Sequence, residues 1–233
     1  MFDRLVESCR CREWLHCVSR GFEDVSGMGG RVVLVRTALA IVVTATVLFS
    51  GVGAVAGWWF SRDQRYGDAS VEAGFARDMS THHSQAVELG MLAHARSPQT
   101  KLGVLGGDIA LTQHGQIGTM QAWLREWGLQ PTGEQPAMAW MSHTPHSSSG
   151  LMPGMASREE LDRLRAASGR DFEVLWAQLM LRHHLGGIEM AEAALQRCDD
   201  EDVRWLAGAM KAGQQSEINA LEDVLNGHGA KPL

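Results

Sequence analysis

The stretch Met79-Ser80-Thr81-His82-His83 returns as Met180-Leu181-Arg182-His183-His184, and this repetition decides the fold. At the same offset of 101 residues, Gln113-x-x-Gln116-Ile117 matches Gln214-x-x-Glu217-Ile218, and no gap is needed between the copies. A constant internal period indicates a duplicated structural unit. We therefore predict two repeats, over about residues 71–131 and 158–232.

Each repeat is predicted to contain two helices, because apolar residues recur at helical spacing and alternating strand patterns are almost absent after residue 60. The predicted helices span about 71–95, 101–127, 158–195 and 201–226. Ser97-Pro98 ends the first, and Ser157 with Glu160 forms a capping box that begins the third. An amphipathic hairpin cannot bury its apolar face alone, so we predict an all-α four-helix bundle with pseudo-twofold symmetry.

The N-terminal quarter of the chain carries a candidate membrane segment. Residues 37–60 contain no charged side chain, and as a helix they would measure about 36 Å, enough to span a bilayer. Six arginines in residues 1–36 favour a cytoplasmic N-terminus, which places residues 61–233 outside the cytoplasm. A cleaved signal peptide is the alternative, because Ala54-Val55-Ala56 suits signal peptidase, but the length of the apolar run favours an uncleaved signal-anchor.

Composition excludes several classes of function. A formal net charge of -6 argues against nucleic acid as a partner, because phosphate binding needs clustered Lys and Arg. Only Cys198 follows the apolar run, so the main domain is not a disulfide scaffold. Cys9, Cys11 and Cys17 lack the second half of a zinc site, which favours reduced thiols. The conspicuous feature is an excess of Met and His, with 12 and 10 residues.

Polar side chains interrupt the apolar stripe of every predicted bundle helix at a similar level. They are His82, Gln113 with Gln116, His183, and Gln214 with Glu217. A buried polar group costs about 1 to 3 kcal/mol if it is left unpaired, so this cluster must satisfy itself or bind something. A self-satisfied network, in which Gln amides hydrogen-bond the imidazoles, is one reading. The duplication of the Met-x-x-His-His unit favours binding.

The ligand types indicate a soft metal ion. Met79 lies one helical turn before His82 and His83, and Met180 stands in the same relation to the second pair. A di-iron bundle needs Glu-x-x-His on two helices, whereas Met occupies the Glu position here in both repeats. Thioether and imidazole suit Cu(I), and by the same softness Ag(I), with Cu(II) as a further candidate. Since protonated imidazole cannot ligate, we expect binding to weaken below about pH 6.

Residues 132–157, which connect the two repeats, are rich in Pro, Ser and Gly and also hold a second group of soft ligands. These are Met138, Met141, His143, His146, Met152 and Met155. They could capture a cation and pass it inward. Alternatively, the methionines only cover the end of the bundle as a hydrophobic flap. Glu88 and Glu189 fall outside the apolar stripe and are predicted to be surface charges.

Together these motifs resemble a bacterial family, the domain of unknown function 305, over about residues 70–226. The match includes Phe75-x-x-x-Met79-x-x-His82-His83, Met152-Pro153-Gly154-Met155 and both Gln-x-x-Gln/Glu-Ile segments. The resemblance implies a ferritin-like bundle that is usually exported and that in some members binds copper or silver through Met and His. It points to eight metal ligands: His82, His83, His183, His184, Met79, Met180, Met152 and Met155. Gly186-Gly187 departs from the first repeat and is expected to loosen the third helix.

We therefore predict a membrane-anchored, extracytoplasmic protein that binds copper for metal tolerance or delivery. It is predicted not to be an enzyme. A ferritin-like oxidoreductase is one alternative, and it would use a metal pair with oxygen or peroxide. A metal-free helical interaction module is the other, and in it the His and Gln cluster would be a structural network only.

Overall fold

The computed structural model describes residues 65–97, 99–141 and 150–233. It contains α1 (Val71–Arg96), α2 (Lys101–Glu126), α3 (Arg158–Ala166), α4 (Gly169–Arg197) and α5 (Glu201–Gly227). Within these residues there is no strand, so the all-α prediction is confirmed. The predicted cytoplasmic segment 1–36 and the predicted membrane segment 37–60 lie outside the described residues. None of the five helices is long and apolar enough to cross a bilayer.

Side-chain caps explain where the helices begin. Ser70, Thr100, Ser157 and Asp200 precede α1, α2, α3 and α5, and the side-chain oxygen of each accepts from a backbone N–H of the first turn. Such a bond satisfies one of the four N–H groups that lack a partner at a helix start. The predicted capping box is confirmed, because Glu160 also accepts from the Ser157 N–H at 2.8 Å.

The predicted third helix over 158–195 is two helices, not one. Ala167 takes an extended conformation with ψ 156°, and Gly169 follows with φ 51°, so the chain turns between α3 and α4. The Arg96 guanidinium stabilises this break from outside. It donates to the carbonyl of Ala167 at 2.8 Å and to that of Arg165 at 2.6 Å, which are groups a continuous helix would use internally.

The helices are arranged as two hairpins that meet along their first members. α1 packs most extensively against α2, and α4 against α5, while α1 and α4 form the contact between the hairpins. Gly90 on α1 faces Gly106 on α2 so closely that a Cβ on either residue would clash with the backbone of the other. α1 and α4 run antiparallel, and the Trp176 indole N–H on α4 donates to the Leu89 carbonyl at 2.8 Å.

Two apolar clusters form the core. The first joins the beginning of α1, including Phe75, to the end of α4, including Met190. The second joins the end of α1, including Leu89, to the beginning of α4, including Trp176. The His-His pairs lie midway along α1 and α4, so they separate the two clusters as a polar layer inside the domain.

Part of the connecting segment 132–157 forms a hydrophobic flap, which was one of the two alternatives for its methionines. Met138 and Met141 are buried in the first apolar cluster, together with Trp140. The Asp78 carboxylate anchors this turn by accepting from the Met138 N–H at 2.7 Å and the Trp140 indole N–H at 2.8 Å. Trp140 also meets Phe75 edge to face, with ring centroids 5.6 Å apart. His143 and His146 lie outside the described residues.

Candidate metal centre

All four motif histidines are buried, with exposed fractions of 0% or 1%. α1 supplies His82 and His83, and α4 supplies His183 and His184. The structure brings His82 and His183 together across the interface between the hairpins, with ring centroids 3.8 Å apart and planes inclined by 33°. Within each pair the two ring centroids are 6.3 Å apart, because consecutive residues point about 100° apart around a helix. We call these four residues the histidine layer.

The outer histidine of each pair is held by its partner helix in the same hairpin. His83 Nε2 bonds to the Gln116 side-chain carbonyl at 2.7 Å, and His184 Nε2 bonds to the Glu217 carboxylate at 2.7 Å. These two contacts occupy equivalent positions in the two repeats. The Gln/Glu-Ile motif therefore fixes the orientation of these two rings.

The inner histidines are held by backbone carbonyls. His82 Nε2 bonds to the Pro153 carbonyl at 3.0 Å, and His183 Nε2 bonds to the His82 carbonyl at 3.0 Å. Carbonyl oxygens can only accept, so Nε2 carries the hydrogen in these rings. In a neutral imidazole the hydrogen on Nε2 leaves a lone pair on Nδ1.

The Nδ1 atoms of all four histidines are buried and have no hydrogen-bond partner. An open buried acceptor costs about 1 to 3 kcal/mol, so four in one layer represent a substantial unfavourable contribution to folding. The amide of Gln113 and the side-chain oxygen of Gln214 are also buried without partners. The proposed self-satisfied network is thus only half formed: Gln116 serves His83, but no amide reaches an Nδ1.

Burial keeps His82, His83 and His183 neutral. It lowers the pKa of His82 to about 4 and that of His83 to about 3, with neighbouring imidazoles lowering both further. Burial likewise holds the pKa of His183 well below its ordinary value. The expectation that ligation weakens below about pH 6 assumed the pKa of an exposed histidine, and for these three rings we expect proton competition to begin at a lower pH.

The predicted thioether ligands are buried beside the pairs but on opposite sides of the histidine layer. Met79 belongs to the first apolar cluster and Met180 to the second, because α1 and α4 are antiparallel. Helical spacing places each sulfur-bearing side chain one turn from its own His pair. Within the described ranges, no group of three or more His, Cys, Asp or Glu side chains is arranged to hold a metal ion. The described residues therefore show no joint four-histidine site, and one buried methionine lies on each side of the histidine layer.

The Met152–Met155 turn lies against the histidine layer through its backbone. Besides the bond from Pro153 to His82, its Gly154 has φ 76° and approaches Arg182 and His183 so closely that a Cβ would clash. A Cβ on Gly186 of α4 would clash with the Pro153 carbonyl. Gly186 therefore permits close docking of the turn, and α4 stays continuous through it, which corrects the expectation of a loosened helix.

Side chains from both hairpins fasten this turn. The Gln85 amide makes two bonds to the backbone of Ala156, at 2.9 and 2.7 Å. Arg182 pairs with Glu160 at 2.6 Å and also donates to the Met155 carbonyl at 3.4 Å. The side chains of Met152 and Met155 are partly buried. Sequence reasoning missed Pro153 and Gln85, because their contacts join residues about 70 positions apart in the chain.

The two acids predicted to lie on the surface do so. Glu88 and Glu189 are exposed, and Glu88 pairs with Arg165 of α3. Glu217, the one acid on the core stripe at this level, is already used as the acceptor for His184. Imidazole, thioether and amide groups therefore dominate the chemistry of the buried layer.

The fold and the site define a class: an all-helical protein built from two repeated hairpins, whose central helices carry paired buried histidines. The family model "Domain of unknown function (DUF305)" matches residues 72–225. The chain therefore belongs to the DUF305 family, as its motifs indicated. A DUF305 protein from Streptomyces coelicolor that is inferred to be secreted has a solved structure with 40% identity and a TM-score of 0.64. That match covers 70% of this chain and 97% of the other.

Other solved structures share the fold. A DUF305 fragment from Deinococcus radiodurans is 31% identical, with a TM-score of 0.56 over 67% of this chain and 95% of that one. CopM in its Cu(I)-bound form is 21% identical, with a TM-score of 0.52 over 70% of this chain and 97% of CopM. CopM has also been solved in Cu(II)-bound and Ag-bound forms. A search of curated proteins finds no match.

Proposed function

We propose that this protein binds Cu(I), and by the same chemistry Ag(I), in its histidine layer, and that it serves metal tolerance or delivery. His82, His83, His183 and His184 bind through Nδ1, and Met79 and Met180 contribute thioethers. Cu(II) is a weaker candidate, because thioether sulfur favours the reduced ion. The observation that carries the proposal is the set of four buried Nδ1 atoms without partners.

The residues present fit such an ion. Metal-ligating histidines normally donate their other ring N–H to a carbonyl or carboxylate, which fixes the ring and its tautomer. Each histidine of the layer already has this arrangement on Nε2. Burial holds His82, His83 and His183 neutral, with pKa values below the ordinary one, and so available as ligands. The shared fold with CopM, which has been solved with copper and silver, supports the same expectation.

We assign a supporting role to the Met152–Met155 turn. Its backbone covers His82, and its two thioethers are candidates for handing the ion to the layer. The wider arrangement is also part of the proposal: residues 1–36 are cytoplasmic, 37–60 anchor the chain in the membrane, and 61–233 are extracytoplasmic. The inferred secretion of the Streptomyces coelicolor relative supports an extracytoplasmic location for the domain.

Anaerobic titration of the full chain with Cu(I), against a competing chelator, tests the proposal. The double variant Met79→Leu/Met180→Leu conserves side-chain volume and removes only the sulfur atoms. We expect it to fold normally and to lose at least tenfold in Cu(I) affinity. His114→Gln, at an exposed position on α2, is the matched control and should bind as wild type. Equal Cu(I) affinity in wild type and the double variant would contradict the role of the thioethers.

A second variant separates the histidines from the thioethers. His83→Gln/His184→Gln removes one imidazole from each repeat and leaves the stacked inner pair intact. We expect lower uptake of both Cu(I) and Ag(I), with the helical circular dichroism spectrum retained. Unchanged uptake in this variant would overturn the assignment of the histidine layer.

A further inference from the structure

A shallow groove between α1 and α2, about two helical turns along α1 from His83, contains a second set of soft ligands. Its lining is Met91, His94, Val104, Gly107, Asp108 and Leu111, and its volume is about 280 Å³. Met91 is 49% exposed and Leu111 is 74% exposed, so the groove opens to solvent. A half-exposed methionine is not acting as core filler.

The spacing of the groove's two ligand residues is that of the buried pairs. Met-x-x-His occurs three times in the chain: at Met79 and His82, at Met180 and His183, and at Met91 and His94. Only the third is not duplicated, since the residue corresponding to Met91 in the second copy is Glu192. Residues three apart on a helix are neighbours, so the Met91 thioether and the His94 imidazole share one face of α1.

The packing around His94 orients its ring. Nδ1 lies 3.1 Å from the Gly103 carbonyl and donates to it, because that oxygen can only accept. The ring lies so close to Gly107 that a Cβ there would fall 2.9 Å from Nδ1. The lone pair of the neutral ring is therefore on Nε2, and no residue in the described part of the chain bonds to that atom. In the histidine layer, too, one ring nitrogen donates to an acceptor and the other is left open, but there Nε2 carries the hydrogen and Nδ1 the lone pair.

The groove also has a source of negative charge. Asp108 is exposed and takes part in no ion pair among the described residues. A carboxylate without a cationic partner favours a cation in the adjacent space, and the effect is larger beside apolar walls such as Val104 and Leu111. An apolar groove with one thioether, one oriented imidazole and one free carboxylate matches a soft monovalent cation better than a hard divalent ion.

We propose that this groove is a separate, solvent-accessible site for Cu(I) or Ag(I), in which Met91 Sδ and His94 Nε2 are the ligands and Asp108 provides the compensating charge. It would take up an ion directly from solvent, unlike the buried layer. The site does not depend on the histidine layer, so either assignment can fail while the other stands.

Ag(I) is the probe of choice, because it does not change oxidation state under these conditions. The full chain is titrated with Ag(I), bound silver is counted after equilibrium dialysis, and long-range ¹H–¹⁵N NMR follows the His94 ring. We expect the His94 Nε2 resonance to move while Nδ1 keeps its hydrogen. Met91→Leu and His94→Gln should each weaken the binding of one Ag(I) equivalent by at least tenfold.

The chain offers a matched control in Leu111-x-x-His114, which has the same spacing on α2 with Leu in place of Met. His114→Gln should retain every Ag(I) equivalent. If Met91→Leu also retains every equivalent, or if the His94 Nε2 resonance stays in place during the titration, the groove site is disproved. The same spectra follow His82, His83, His183 and His184, whose response to Ag(I) reports on the histidine layer separately.

Discussion

The two repeats place equivalent histidines against different acceptors, and the difference shows how a duplicated layer has become asymmetric. In the first hairpin the amide of Gln116 accepts from His83, whereas in the second the carboxylate of Glu217 accepts from His184, both at 2.7 Å. A carboxylate acceptor makes the histidine a stronger ligand than an amide does. The duplication thus supplies two equivalent ring positions, and the divergence gives the second a more electron-rich imidazole.

A second contrast lies one turn further along the same helices. α1 has Gln85 where α4 has Gly186. Gln85 reaches across to bond the backbone of Ala156, while Gly186 leaves room for the Pro153 carbonyl. One repeat therefore fastens the Met152–Met155 turn and the other provides the space in which it lies.

Acidification should lower the free energy of unfolding more than any other change proposed for the chain. It tests whether the histidines of both repeats are buried together in one layer. The folded-state pKa values of His82 and His83, about 4 and about 3, lie below the unfolded value near 6.5, so the unfolded chain binds protons first. Stability is therefore complete above about pH 6.5 and is lost as pH falls toward 4. Each such histidine contributes about 1 kcal/mol per pH unit in this window, and His183 adds to it in the same direction.

Urea unfolding of the full chain at a series of pH values from 7.5 to 4.5 measures this loss. His114→Gln, which removes an exposed histidine, should give the wild-type profile. A free energy of unfolding that is constant between pH 6.5 and 5 would mean that the layer is hydrated, contrary to its observed burial.

Filling the space at Gly186 should have the next largest effect. In Gly186→Val the new side chain meets the Pro153 backbone, so either the turn is displaced or the helices shift, at a cost of about 3 kcal/mol. Gly115→Val is the matched control, because a Cβ at that helical glycine has open space around it. Thermal or urea unfolding of both variants makes the comparison. Equal free energies of unfolding in Gly186→Val and Gly115→Val would show that the Met152–Met155 turn does not pack against α4.

Exchanging the acceptors should have the smallest effect and would test the asymmetry directly. Glu217→Gln gives the second repeat the acceptor of the first, and we expect about tenfold weaker Cu(I) binding, since acceptor mutations typically cost 10 to 100-fold in affinity. Gln116→Glu should act in the opposite direction. Chelator competition under anaerobic conditions measures both affinities, and a wild-type Cu(I) affinity in both variants would show that the acceptors do not tune the rings.

Local patterns in the sequence were enough to predict the helices, the repeat and the level of the histidine layer. Each rests on spacing within one helix or on capping residues such as Ser157. The break before Gly169 was missed, because the carbonyls it frees are taken up by Arg96, about 70 residues earlier. The contact from His82 to Pro153 was also out of reach, since it depends on how a loop packs over a glycine of another helix.

The pH at which protons compete for the rings was out of reach of the sequence for a related reason. The spacing of His82 and His83 predicted a core position, but the extent of burial, which sets the pKa, is a property of the packed domain. The hydrogen bond that each Nε2 makes is likewise set by groups from α1, α2, α5 and the connecting turn. Sequence identifies ligand types, whereas the packed domain determines which nitrogen is available.

The most direct test of the central claim is long-range ¹H–¹⁵N NMR of the imidazole rings in the full chain, before and after one-equivalent additions of Cu(I) under anaerobic conditions. We expect His82, His83, His183 and His184 to carry their hydrogen on Nε2 beforehand, and Cu(I) to move the Nδ1 resonances while the Nε2 hydrogens remain. Nδ1 resonances that do not respond to Cu(I), or hydrogens found on Nδ1 in the metal-free protein, would contradict it.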